Sequence, residues 1–276
     1  MENSSPKKIA LNYPRIITAM LIVAAVLIAI ALGNSYIAVL FLLINVFGAR
    51  ELCYVLEEKR TPGLSTIYTA LAIAPFALMY WLDLGLDNKY EVFITISAVV
   101  MVILIANLWL NKINFAKIRF PFAIFYWGLP LSLAAYFLIV TGKDYQITVL
   151  GIMTLIWTSD TMAYFTGKAI GKNKLFPSVS PGKTIEGSLG AGVFSILIGF
   201  GFSIATGESF LKWAFLAVAV WILGTLGDLV ESKLKRVQKV KDSGSILPGH
   251  GGFLDRFDSL VLLIPFLLLL EYYLRS

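Results

Sequence analysis

Seven carboxylates stand out in the C-terminal half of the sequence: Asp160, Glu186, Asp228, Glu231, Asp242, Asp255 and Asp258. Asp160, Asp228 and Asp258 lie within or at the ends of strongly apolar stretches. Ionisable groups at membrane depth are costly, and by default they mark a functional site. Asp228, Glu231, Ser232 and Lys235 follow the spacing i, i+3, i+4, i+7, which is one face of a helix that continues past the apolar stretch. Asp255 and Asp258 are i and i+3. Carboxylates set among basic residues suit hard divalent cations that bridge phosphate oxygens. Two such ions clamp both the attacking and the leaving oxygen of an in-line displacement. Taken singly, each acid has a simpler reading as an ion-pair partner of a nearby Lys or Arg, and the convergence of three weakens it.

Two loops carry residues suited to phosphate. The first contains Ser180-Pro181-Gly182-Lys183-Thr184-Ile185-Glu186-Gly187. Its Gly-Lys-Thr is not a P-loop: Pro177 stands where the first glycine is required, and an apolar helix precedes it instead of a strand. A mobile loop with Lys183 and free backbone N–H groups remains. Thr184 and Glu186 also fit the start of the next helix. The second loop begins with a basic run, which positive-inside anchoring explains. It ends with Gly249, Gly251 and Gly252 around the chain's one histidine, His250, followed by Asp255, Arg256 and Asp258. Glycines permit close backbone approach to a ligand.

The elements that must hold these residues are transmembrane helices. Of the 276 residues, 58% are hydrophobic and 14% charged, against roughly a quarter charged in soluble domains. Mean hydropathy is +0.80. Nine stretches meet or approach the length needed to cross a bilayer: 15–32, 36–56, 67–83, 91–110, 121–140, 146–166, 187–206, 212–230 and 258–274. The first follows Lys7, Lys8 and Arg15, but it is too long for a signal peptide and has no cleavage site, so it reads as a retained anchor. With a cytoplasmic N-terminus and this count, 18 of the 23 Lys and Arg fall on inside segments and four outside, as the positive-inside rule requires. The C-terminus then faces outside. The expected fold is all-α and polytopic. Residues 1–140 carry about five N-terminal spans, and 141–276 form a catalytic region with cytoplasmic loops 167–186 and 231–257. The single cysteine, Cys53, excludes an intrachain disulfide, and no internal repeat of the transporter kind is present.

The motifs resemble those of the CDP-diacylglycerol synthase (phosphatidate cytidylyltransferase) family. Ser232, Leu234, Lys235, Arg236, Lys241, Asp242, Gly244, Leu247, Pro248, His250, Gly251, Gly252, Phe253, Asp255, Arg256, Phe257 and Asp258 keep every spacing of its signature. Upstream, Asp160, Ala163, Tyr164, Gly167, Lys168, Gly171 and Lys172 are similar to one further motif. Ser180, Pro181, Lys183, Thr184, Glu186 and Gly187 are similar to another, and Gly227, Asp228, Glu231 and Ser232 to the lead-in of the signature. Met162 replaces a commonly small residue, and Gly182 a commonly basic one. The resemblance spans about 155–260, and the N-terminal spans match in hydropathy alone.

What the resemblance implies is transfer of CMP from CTP to phosphatidic acid at the cytoplasmic face of the inner membrane. The products are CDP-diacylglycerol and pyrophosphate. Mg²⁺ is required, with room for a second ion, in a multi-pass, commonly dimeric enzyme whose partners are these substrates and membrane lipids, not nucleic acid. Asp160, Asp228, Asp255 and Asp258 are expected to hold metal. Asp228, Asp255, Asp258, Lys241 and His250 are the expected catalytic group. Lys168, Ser180, Lys183, Thr184, Glu186, Lys235, Arg236, Asp242, Gly251, Gly252 and Arg256 are the expected substrate contacts. Two other readings stand beside it: a CTP-dependent polyprenol or isoprenoid kinase, in which the γ-phosphate moves, and an ion-coupled transporter.

Overall fold

A computed structural model describes residues 13–57, 61–83, 87–240, 243–244 and 251–275. Lys241, Asp242 and His250 lie outside the described residues. The chain is an all-α polytopic membrane protein: α1 (Tyr13–Leu32), α2 (Asn34–Leu56), α3 (Pro62–Trp81), α4 (Asn88–Leu110), α5 (Arg119–Phe122), α6 (Leu129–Val140), α7 (Gln146–Ile170), α8 (Ile185–Thr206), α9 (Phe210–Val237) and α10 (Leu254–Arg275). A single π-helical segment, Ala123–Gly128, joins α5 to α6. Among the described residues six helices are long and apolar enough to cross a membrane: α2, α3, α4, the continuous run Arg119–Val140, α8 and α9. Each of the nine apolar stretches overlaps a long helix.

The helix ends follow from local chemistry. Orphan N–H groups of a first turn need a side-chain acceptor, and Thr61, Asp87, Thr184 and Ser209 supply it to α3, α4, α8 and α9. Asn111 and Gly207 end α4 and α8 in the left-handed conformation. At the end of α4, Asn107 Oδ1 accepts from Lys112 N (2.9 Å) and Ile113 N (3.0 Å). The buried Lys233 ammonium of α9 donates to the carbonyls of Asn107 and Leu108. A cation at a helix C-terminus is favourable there, and it ties α9 to α4.

In lipid, helices associate through packing of small residues and through buried polar contacts. Gly128 rests on the Ala72 backbone, and Gly48 lies under the Trp127 ring. Asn45 Nδ2 donates to Ala72 O (3.0 Å) and Gly128 O (3.3 Å), joining α2, α3 and the π segment. α7, α8 and α9 pack in sequence, whereas α10 packs on α9, α4 and α6 and touches α2. One hydrophobic core therefore runs through both halves of the chain.

The loop expected at 167–186 is shorter and more ordered than a spacer. α7 continues to Ile170, and the connection folds into an antiparallel hairpin, β1 (Lys174–Phe176) and β2 (Ser180–Thr184). The region 231–257 likewise starts as helix: α9 runs on to Val237, which keeps Glu231, Ser232 and Lys235 on the face predicted from their spacing.

Candidate active site

The site forms where α9 meets α10. At Gly227 an added Cβ would lie 2.9 Å from Asp258 O and 3.0 Å from Ser259 Cα. Only glycine permits this approach, and it sets Asp228 beside Asp258. Asp228, Glu231 and Asp258 thereby present one carboxylate oxygen each, all within 4.8 Å of one another. Glu231 and Asp258 are buried and Asp228 is half-buried. Glu231 Oε1 is buried with no hydrogen-bond partner. A buried unpaired carboxylate oxygen is expensive, and three converging oxygen donors with one unspent lone-pair set fit a hard divalent cation.

Cations surround the trio. Lys183 Nζ on β2 lies 2.5 Å from Asp228 Oδ2, and Ser232 Oγ donates to Asp228 Oδ1 at 3.1 Å. Lys235 Nζ bridges Glu231 Oε2 and Asp255 Oδ1, each at 2.6 Å. The second oxygen of Asp255 accepts from Gly252 N (3.0 Å) and Ser243 N (3.3 Å). Asp255 is thus occupied in fastening the signature segment and Lys235, and it stands outside the group of three. Gly251 has φ +82°, and a Cβ there would come 2.7 Å from Asp255 Oδ2, so the position requires glycine twice over.

The hairpin delivers Lys183 by tight packing. Gly171 and Gly187 leave no room for a Cβ against Thr184, and Gly187 also abuts Ala163 O. Thr184 Oγ1 accepts from Gly187 N at 3.1 Å, starting α8. Glu186 accepts from Lys172 N (3.0 Å) and from Asn173 Nδ2 (2.7 Å), closing the base of the hairpin. Arg236 Nε donates to Val179 O across the hairpin turn at 3.4 Å.

These elements enclose a cavity of about 550 Å³. Five acids line it (Asp160, Asp228, Glu231, Asp255, Asp258), as do four cations (Lys168, Lys183, Lys235, Arg256), with Ser180, Thr184 and Gly182 on the hairpin side. Asp160 faces the cavity from α7 but is not in the group of three. Arg236, Glu186, Gly251 and Gly252 are not among the lining residues, and the first two brace the hairpin. Leu175, Ser188 and Thr225 line both this cavity and a neighbouring apolar groove of about 470 Å³ flanked by Trp109, Phe176 and Trp221. A charged chamber beside an apolar groove can bring a polyanion and a lipid together.

Two residues at or beside the site were outside the expected metal, catalytic and substrate-contact sets. Glu231 completes the trio, and its i+3 spacing from Asp228 was the available signal. Glu51 of α2 is fully buried and accepts from Leu254 N at 2.9 Å; a carboxylate inside the apolar stretch 36–56 was its signal.

A family model described as the cytidylyltransferase family matches residues 13–274, nearly the whole chain. The chain belongs to the cytidylyltransferase family. The match takes in the N-terminal spans, beyond the 155–260 segment whose motifs carry the resemblance. Among curated relatives, the phosphatidate cytidylyltransferase of Bacillus subtilis (strain 168) is 37% identical over 204 residues, 69% of this chain and 74% of that protein. Those of Staphylococcus aureus (strain COL) and Staphylococcus saprophyticus are 46% and 44% identical over 121 residues, 43% of this chain and 46% of each relative. Membership in the cytidylyltransferase family makes the chain a nucleotidyltransferase.

Proposed function

We propose that this cytidylyltransferase moves CMP from CTP to phosphatidic acid, giving CDP-diacylglycerol and pyrophosphate. The observation that carries the reading is the convergence of Asp228, Glu231 and Asp258 with Lys183 and Lys235 in a cavity that shares lining residues with an apolar groove. The names of the relatives support the substrates. A phosphate oxygen of the lipid attacks the α-phosphorus of CTP. The bond from that phosphorus to the oxygen bridging to the β-phosphate breaks, and pyrophosphate leaves with the bonding pair. The nucleophile is a phosphate monoester with a second pKa of about 6, so it is largely dianionic at neutral pH and needs no strong general base. The obstacle is bringing two polyanions together, and such transfers are catalysed mainly by positioning and charge.

Asp228, Glu231 and Asp258 would hold Mg²⁺, whose charge would offset the carboxylates that line the cavity when a triphosphate enters. When bound, the ion supplies Lewis-acid polarisation of phosphate oxygens. Lys183, Lys168 and Arg256 face the cavity as counter-charges for the phosphates. Lys235 is held by two carboxylates and orders Glu231 against Asp255. The basic asymmetry of the loops supports a cytoplasmic-facing site in the inner membrane with nine crossings and an outside C-terminus, and the resemblance supports a homodimer. The test is product identity. With α-labelled CTP and phosphatidic acid, label is expected in the lipid fraction with release of pyrophosphate. Label entering lipid only from γ-labelled CTP, with CDP released, would replace this reading by the kinase.

A further inference from the structure

The N-terminal half of the chain contributes a carboxylate to the signature segment. Glu51 lies near the C-terminal end of α2, is fully buried and forms no ion pair among the described residues. It reaches across more than 190 positions of sequence. Oε2 accepts from Leu254 N at 2.9 Å and from Ser243 Oγ at 3.4 Å. Leu254 is the first residue of α10, so the carboxylate sits at the N-terminal end of that helix, where unpaired N–H groups and the helix dipole favour negative charge. Two glycines of the signature are pressed against the same group. A Cβ at Gly244 would stand 2.7 Å from Glu51 Oε1, and one at Gly252 would overlap the carboxylate. One turn earlier on α2, the Phe47 ring stacks on Phe253 with centroids 5.1 Å apart. Residues 243–244 and 252–254 of the signature therefore close on one side chain. Asp255 follows the fastened residue directly, and Asp258 lies one turn along α10.

We propose that Glu51 is a positioning residue for cytidylyl transfer: it fastens residues 243–244 and 252–254 of the signature and fixes the start of α10, and so sets Asp258 against Asp228 and Glu231. The inference rests on the reaction proposed above. It also gives the requirement for small residues at 244 and 252 a physical cause: the volume of the Glu51 carboxylate and, at 252, of the Ser243 hydroxyl as well. Glu51→Gln keeps the size but replaces one acceptor oxygen with a donor, which faces either the Leu254 N–H or the close-packed glycines. Gly252→Ala attacks the same contact from the other side.

The test uses the full chain in detergent–lipid micelles. Wild-type turnover is measured first, and its absence would count against the reaction, not against Glu51. Hydrogen–deuterium exchange of peptides covering 243–258, recorded without metal or substrate, reads the fastening independently of chemistry. Glu51→Gln is expected to accelerate exchange in that segment at least about tenfold while α4 and α9 stay protected. It should also lower kcat by about tenfold or more, with the KM for CTP within about twofold. Gly252→Ala should reproduce both effects, and the double variant should be no worse than the poorer single one, because one contact is lost in each. Wild-type exchange and kcat in Glu51→Gln would overturn the proposal. So would loss of protection throughout the bundle in both variants, which would make Glu51 an ordinary packing group.

Discussion

Gly227→Ala offers a graded perturbation of the carboxylate trio without touching a charged group. The new methyl would stand 2.9 Å from Asp258 O, 3.0 Å from Ser259 Cα and 3.2 Å from Leu262 Cβ. The first two are main-chain atoms of α10 and cannot rotate away. Restoring ordinary contact of about 3.4–4 Å requires the helices to part by roughly 0.5 Å, and overpacking of this kind costs about 1–3 kcal/mol. Asp228 is the next residue on α9 and Asp258 the contacted one on α10, so the separation passes directly into the site. Since a displacement of about 1 Å can cost a hundredfold in rate, half of that is expected to lower kcat by about tenfold. Pyrophosphate release and thermal unfolding in the same micelles read the two effects. Gly201→Ala on α8 is the control: nothing lies within 4 Å of its added methyl, and a helical Gly-to-Ala change is expected to stabilise by about 0.5–1 kcal/mol. Wild-type kcat and stability in Gly227→Ala would refute the claim that this close approach sets the trio.

Lys183→Met removes the cation facing Asp228. Both partners are partly exposed, so stability should change by no more than about 1 kcal/mol, whereas kcat/KM for CTP should fall about a hundredfold or more; equal losses in thermal stability and rate would contradict this. Glu231→Gln removes one charge of the trio, and the Mg²⁺ concentration for half-maximal rate should rise about tenfold or more; an unchanged metal titration would exclude Glu231 as a ligand. Lys233→Met leaves the Asn107 and Leu108 carbonyls without their charged donor. A loss of about 2 kcal/mol is expected, read as a lower unfolding temperature, with turnover per folded molecule retained.

The apolar runs and the helical spacing of acids were legible because both are local. A run of about 20 apolar residues specifies a bilayer-length helix, and the i, i+3, i+4, i+7 pattern is enough to place Asp228, Glu231, Ser232 and Lys235 on one face. The hairpin was not legible: strands of three and five residues, with Gly and Pro inside the second, carry no alternation to read. Its order comes from Glu186 and Arg236, whose contacts lie outside the strands. The different surroundings of Asp255 and Glu231 were also hidden. Spacing gives the faces of two helices but not how the faces meet, and the packing at Gly227 decides that. Glu51 carried a local signal, a carboxylate inside an apolar stretch, but its partners were hidden because they lie about 200 positions away.

Cytidylyl transfer at the trio of Asp228, Glu231 and Asp258 is tested most directly by following α-³²P from CTP into phosphatidic acid in micelles, comparing wild type with a folded Asp258→Asn variant. Label in the lipid with wild type, stoichiometric pyrophosphate, and loss of at least about a thousandfold in the variant would be the predicted result, the magnitude expected when a central electrostatic group is removed. Undiminished lipid labelling by folded Asp258→Asn would contradict it and place the chemistry elsewhere in the chain.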